Sequence, residues 1–189
     1  MMRRLTCLAG FSLLEVMIAA VVLSFGLLGL VAMQVQAKFS SYEARQRTIA
    51  SWLANDMVER LKVNRGAWEL QASNTWIVSG GTSSLPSCAN ENGTMSGCSN
   101  ADLLALDLYY WRQSLLGSAA SGAGTTLRNP TGCIIKGANN GLTVSIFWAG
   151  RESSHDGAAA GAVDPAITAS CGIAGLDLTR RQFVLTTTL

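Results

Sequence analysis

Between Glu15 and Lys38 the chain carries no ionisable side chain. A helix over that interval spans on the order of 33 Å at about 1.5 Å per residue, enough to cross a bilayer. The run begins just after a small-residue boundary, Ala9-Gly10, and holds a single carboxylate, Glu15, near its start. A carboxylate at membrane depth is costly and is usually paired. The chain is therefore constrained first of all to be a membrane-inserted helix that asks for a positive partner near its N-terminal end.

The ten residues ahead of that helix are basic, through Arg3 and Arg4, and have no apolar core of their own. A secretory signal places its apolar stretch before the cleavage site. Here the order is reversed, so a cut after Gly10 leaves the hydrophobic segment on the mature chain. The arginines keep the N-terminus cytoplasmic and send the remainder across the inner membrane. Such a cut also creates an α-amine on Phe11, a cation close to Glu15 in depth. Pairing of that amine with Glu15 of a neighbouring, staggered chain would register the two helices. Protonation of Glu15, or a bridge to the amine of its own chain, would neutralise the charge as well.

Only 14% of the 189 residues are charged, against about 25% in soluble domains, while 49% are apolar and 19 are glycine. That balance points to an exported, loop-rich protein rather than a cytosolic enzyme. Removing Arg3 and Arg4 with the leader takes the net charge from +2 to zero, which leaves no electrostatic footprint for nucleic acid. Cys7 also leaves with the leader. The remaining cysteines, Cys88, Cys98, Cys133 and Cys171, make an even set, expected to form two disulfides outside the cytoplasm. Three connectivities are possible, and the spacing places Cys88–Cys98 and Cys133–Cys171 first. Zinc is the competing reading, but there is no C-x-x-C and the sole histidine, His155, has no ligand cluster beside it. No metal and no cofactor are expected.

From residue 38 to residue 65 no breaker interrupts the helix, but its pattern changes. Ile49, Leu53, Met57 and Leu61 recur every four residues, with Tyr42 and Trp52 close to the same stripe. Glu43 with Arg47 and Asp56 with Arg60 stand at i, i+4 spacing on other faces, and Asn64, Arg65 and Gly66 mark the end. Gly26 and Gly29 are two weak points in the membrane half, each costing about 1 kcal/mol relative to Ala. They suit either close helix packing or local stretching during assembly.

Residues 66–100 read as loop with one short strand at 75–78, anchored by Trp68 and Trp76; Asn92-Gly93-Thr94 matches a glycosylation sequon only formally. Ser99 or Asn100 caps a helix over 101–116, with Asp102 in its first turn, Gly117 closing it and Leu104, Leu108, Trp111 and Leu115 as its buried stripe. After a Gly, Ser and Ala linker the period becomes two. Strands at 131–136 and 142–148 pair through a two-residue Asn140-Gly141 turn, with Leu142, Val144, Ile146 and Trp148 on one face. Residues 151–177 return to loop, and a last strand at 179–188 presents Phe183 and Leu185. The fold class is α+β: a long N-terminal helix and a small antiparallel-sheet head. The domain reading is leader 1–10, transmembrane helix 11–37, amphipathic helix 38–65 and head 66–189.

Gly10-Phe11-Ser12-Leu13-Leu14-Glu15-Val16, followed by an uncut apolar helix, resembles the class III signal of type IV pilins and pseudopilins. The resemblance implies that a prepilin peptidase cuts after Gly10 and methylates the Phe11 amine, and that Glu15 registers the subunit in a helical filament. Residues 11–30 and Ala50-Ser-Trp-Leu-Ala-Asn-Asp-Met-Val-Glu-Arg-Leu61 are similar to PilV-type minor pilins, which are close to the GspI-type minor pseudopilins of type II secretion. The membrane helix lacks the proline usual in major pilins, and Cys171 stands well before Leu189; both features favour a minor component. The partners so implied are prepilin peptidase, other minor pilins, the major pilin and an adhesin-like tip protein, with passage from the inner membrane to the pilus tip. A periplasmic sensor or enzyme held by an uncleaved signal anchor is the expectation from another class. Ser153, Ser154, His155 and Asp156 are the nearest approach to catalytic equipment, but neighbours in one glycine-rich loop do not make a triad, so no enzymatic activity is expected.

Overall fold

A computed structural model of the chain describes residues 12–80, 84–90, 92–117, 127–150, 165–171 and 180–189. The first element, α1, is a helix over Leu13–Val63. The chain divides into two compact units, one ending at Glu43 and the other running from Ala44 to Leu189. Within the first unit α1 carries no ionisable side chain between Glu15 and Lys38, and none of its described residues is buried.

Within the second unit α1 becomes one-sided. Gln46, Ala50, Leu53, Ala54, Met57, Val58 and Leu61 are buried at three- and four-residue spacing, the signature of a helix packed along one stripe. On its solvent side Asp56 and Arg60 form an ion pair at 3.0 Å. Trp52, expected near the apolar stripe, is instead 72% exposed. One residue's rotation of about 100° separates it from Leu53 and is enough to carry it off the buried face. The helix ends at Val63, and the chain re-enters helix at once. Ala67 and Trp68 donate their N–H groups to the Asn64 carbonyl at 2.9 and 3.2 Å, opening α2 over Arg65–Glu69 where loop was expected. That turn buries Trp68, whose ring stacks at a tilt on Trp76 with centroids 4.4 Å apart.

Helix α3 covers Asn100–Leu116 and is bounded by strictly local chemistry. Ser99 Oγ accepts the Asp102 N–H at 3.2 Å, while the Asp102 carboxylate accepts the Ser99 N–H at 2.9 Å. This reciprocal capping box satisfies two donors that the first turn leaves free. The bonds from the Ser99 side chain, and then from its backbone, hold the Asp102 carboxyl below the usual carboxylate range. At the other end Gly117 takes φ 77°, a left-handed conformation that glycine adopts without a Cβ penalty.

Among the described residues four antiparallel strands follow one another in space as in sequence: β1 (Thr75–Val78), β2 (Arg128–Lys136), β3 (Gly141–Ala149) and β4 (Arg180–Thr188). β2 begins three residues earlier than its period indicates, because a register irregularity between Arg128 and Thr131 breaks the alternation. The hairpin turn is also displaced by one residue. Asn139 and Asn140, at φ 54° and 60°, form it, and Gly141 opens β3 with its N–H on the Ala138 carbonyl at 2.9 Å. Two consecutive residues at positive φ match the twist of the strands, and asparagine tolerates that region. Part of the excursion read as loop is helical, as α4 over Pro165–Ser170.

The two faces of the sheet serve two cores. Ile134, Leu142, Val144, Ile146 and Trp148 join Leu53, Met57 and Leu61 of α1 and Leu104, Trp111 and Leu115 of α3, with Phe183 and Leu185 half-buried against them. On the opposite face Cys133, Phe147 and Cys171 cluster with Ile135 and Ile167. Alternation along each strand separates the two sets. The expected α+β architecture, a long N-terminal apolar helix followed by a small antiparallel sheet, is the observed one.

Candidate functional site

The first unit presents the least ordinary surface of the molecule. Large apolar side chains from Leu13 to Val35 are exposed, Leu13 at 79% and Met33 at 73%. Leaving that many such side chains in water would cost on the order of tens of kcal/mol, at about 1.5–3 kcal/mol each. The helix must therefore be covered by lipid or by other helices, and it is long and apolar enough to cross a membrane. Ser24 needs no outside partner along it, since its Oγ donates to the Ala20 carbonyl one turn back at 2.7 Å.

Glu15 is the exception. It stands in the first turn of α1, where the Glu15 and Val16 N–H groups donate to the Ser12 carbonyl at 3.0 and 3.3 Å. A carboxylate there meets the positive end of the helix dipole, which favours it. Among the described residues it has no ion-pair partner. Gly10 and Phe11 lie outside the described residues, as do Ser153, Ser154, His155 and Asp156. Gly26 and Gly29 sit within unbroken helix, with open space beyond the helix's own backbone where a Cβ would stand.

Residues 32–109 match the type IV pilin family Tt1218-like. That family is described as type IV pilin Tt1218, and the matched stretch runs from the membrane half of α1 into α3. It supports the type IV pilin superfamily and a pilin role. No curated protein and no solved structure matches the chain. Gly10, Phe11 and Glu15 fall outside the matched stretch, so the signal-like motif and the family match rest on different residues.

In the head the cysteines are brought together in two pairs. Cys88 and Cys98 are bonded with Cα atoms 5.2 Å apart, and Cys133 and Cys171 with Cα atoms 5.8 Å apart. The first closes a surface loop in which Ala89 and Met95 make an antiparallel bridge. The second fastens the end of α4 to the sheet's second face.

Two features of the head are not evident from the sequence pattern. Trp111 donates its indole N–H to the Leu53 carbonyl of α1 at 2.8 Å while its ring lies against Gly132 of β2. Asp107 is buried on α3 and accepts a hydrogen bond from Asn64 Nδ2 at the end of α1. The sequence does hold a signal for the latter, since Asp107 stands in helical register with Leu104 and Trp111, inside the apolar stripe. Burial pushes the Asp107 carboxyl above its ordinary range, opposed by the Asn64 bond and by Arg60.

That shift has a testable sign. A carboxyl with a raised folded-state pKa stabilises the fold most below its unfolded value of about 3.9. The contribution is lost as pH rises through the elevated value. Asp107→Asn keeps an acceptor for Asn64 and removes the titration. The variant should thus gain in thermal midpoint relative to the parent as pH is raised from about 4 towards about 7. A difference between the two that does not vary with pH would contradict the assignment.

Proposed function

We propose that the chain is a minor type IV pilin that primes pilus assembly and sits in the tip or initiation complex with other minor pilins. A single observation carries the reading: an uncovered apolar helix whose first turn holds one carboxylate, unpaired among the described residues, on a chain whose next segment matches a type IV pilin family. In this reading prepilin peptidase releases residues 1–10 after Gly10 and methylates the amine of Phe11. The chain waits in the inner membrane with its N-terminus cytoplasmic and its head periplasmic. On assembly Glu15 meets the Phe11 amine of a neighbour. In low dielectric each charge is costly alone, and the attraction between them rises as water is excluded. An offset of even one turn leaves both unpaired, so the pair sets the stagger of adjacent subunits. The role is structural, and the partners are other minor pilins, the major pilin and an adhesin-like tip protein.

Glu15→Ala should leave leader cleavage and head folding intact while sharply lowering co-purification with the other minor subunits. Undiminished co-purification would remove the registration role. Mass spectrometry of the mature N-terminus separates this reading from a signal-anchored periplasmic protein, which keeps residues 1–10 and carries no methyl-Phe11. A deletion strain that keeps its surface pili but loses type II secretion would instead assign the chain to the pseudopilins.

A further inference from the structure

At the junction of α1 and α3 a row of polar groups is left unused by the pilin reading. Asp56 and Arg60 lie on α1, and Asn64 directly follows its last residue. Each four-residue step climbs about 6 Å and turns about 40°, so the row winds from the solvent side of α1 towards its buried stripe. At one end Arg60 Nε donates to the Asp56 carboxylate at 3.0 Å, with the two side chains 30% and 34% exposed. At the other, Asn64 Nδ2 donates to Asp107 of α3, which is 9% exposed. Arg60 therefore stands between a partly exposed carboxylate and a buried one. Among the described residues only the Nε donor of its guanidinium is engaged, and the remaining N–H groups of the fork are available to a second acceptor.

We propose that Arg60 changes partner with the charge on Asp107: it holds Asp56 while Asp107 is protonated, and it turns to Asp107 when that proton leaves for solvent. Attraction between a guanidinium and a carboxylate strengthens as the local dielectric falls. A pair at the partly exposed Asp56 is screened and contributes little, whereas an ionised Asp107 in its buried position is costly without a cation. Among the described residues the charges that act on Asp107 are Arg60, which favours its ionised form, and Asp56, which opposes it. The other charged groups nearby are committed elsewhere or point away. On α1 Glu59 pairs with Lys62. Of α2 and β2, which also pack on α3, the first pairs Arg65 with Glu69, and the second places Lys136 on the Glu69 carbonyl and leaves Arg128 exposed. On α3 itself Asp102 closes the capping box, and Arg112, five residues on from Asp107, is turned about 140° away. The exchange makes the tie between α1 and α3 depend on pH: neutral and hydrogen-bonded through Asn64 in acid, ionic through Arg60 above the Asp107 titration. It concerns the head alone and does not rest on the Glu15 pairing.

Double-mutant cycles in urea unfolding of the detergent-solubilised full chain read the exchange. Arg60→Gln, Asp56→Asn and Asp107→Asn are combined in pairs between about pH 4 and about pH 8, with near-UV circular dichroism checking that each variant is folded. Coupling between 60 and 107 should be absent at the acid end and reach at least about five-fold in the unfolding equilibrium constant at the alkaline end. As it rises, the coupling between 56 and 60 should fall at least about two-fold, and in the Asp107→Asn background it should no longer fall. An Arg60 fixed between both carboxylates would instead keep its coupling to Asp56 while gaining that to Asp107. A 56–60 coupling that holds or grows, or a 60–107 coupling that is absent throughout or does not vary with pH, would therefore overturn the proposal.

Discussion

Gly132→Val should unfold or grossly destabilise the head. A Cβ at Gly132 would overlap the Trp111 ring, colliding with Cη2 and standing 2.5 Å from Cζ3 and 3.2 Å from Cζ2. The ring cannot retreat freely, since Trp111 is fully buried and its indole N–H is fixed to the Leu53 carbonyl. The added carbon must therefore move β2, α3 or the α1 contact. Overpacking alone costs about 1–3 kcal/mol, and a lost buried hydrogen bond about another 1 kcal/mol. Valine adds two methyls to the conflict, in a protein whose total stability should lie in the ordinary range of about 5–15 kcal/mol. Urea unfolding of the detergent-solubilised chain checks this. Trp111→Leu should also destabilise, by leaving a cavity, yet in its presence Gly132→Ala should cost little. Additive losses would mean that the two residues do not meet as described.

Removing Cys133–Cys171 should cost more than removing Cys88–Cys98. The first spans a sequence separation of 38 and the second of 10. Loop-closure entropy then assigns about 4 kcal/mol to the longer and about 2.7 kcal/mol to the shorter. The longer also holds Cys171 and Ile167 against Phe147, which is almost fully buried, so its loss uncovers apolar surface as well. Paired Cys→Ala replacement at 133 and 171 should lower the thermal midpoint by on the order of 10 °C, and the pair at 88 and 98 by less. Equal losses, or the reverse order, would show that α4 is not held through this bond.

Elements bounded by local chemistry are legible in the amino-acid sequence. The Ser99 and Asp102 caps and Gly117 delimit α3, the four-residue recurrence of Leu53, Met57 and Leu61 orients the second half of α1, and alternation from Leu142 to Trp148 splits β3 between two faces. The sequence misleads where a signal is one residue wide or conditional on neighbours. Asn139 rather than Gly141 enters the turn, because asparagine bears positive φ nearly as well. Trp52 has the apolar character of the buried face, although helical rotation takes it into solvent.

By itself, then, the sequence determined that the chain begins with a helix needing cover on all sides and a partner for Glu15, since hydrophobic length and an isolated charge require no tertiary context to state their cost. What the tertiary structure alone decided is how the head closes. Trp111 reaches Leu53 across a sequence separation of 58, Asn64 reaches Asp107 across 43, and one of three cysteine pairings is selected. No short-range propensity distinguishes Gly132 from any other strand glycine. Its meaning arises only when packing lays an indole over it, and such long-range choices are made by the shape of the whole core.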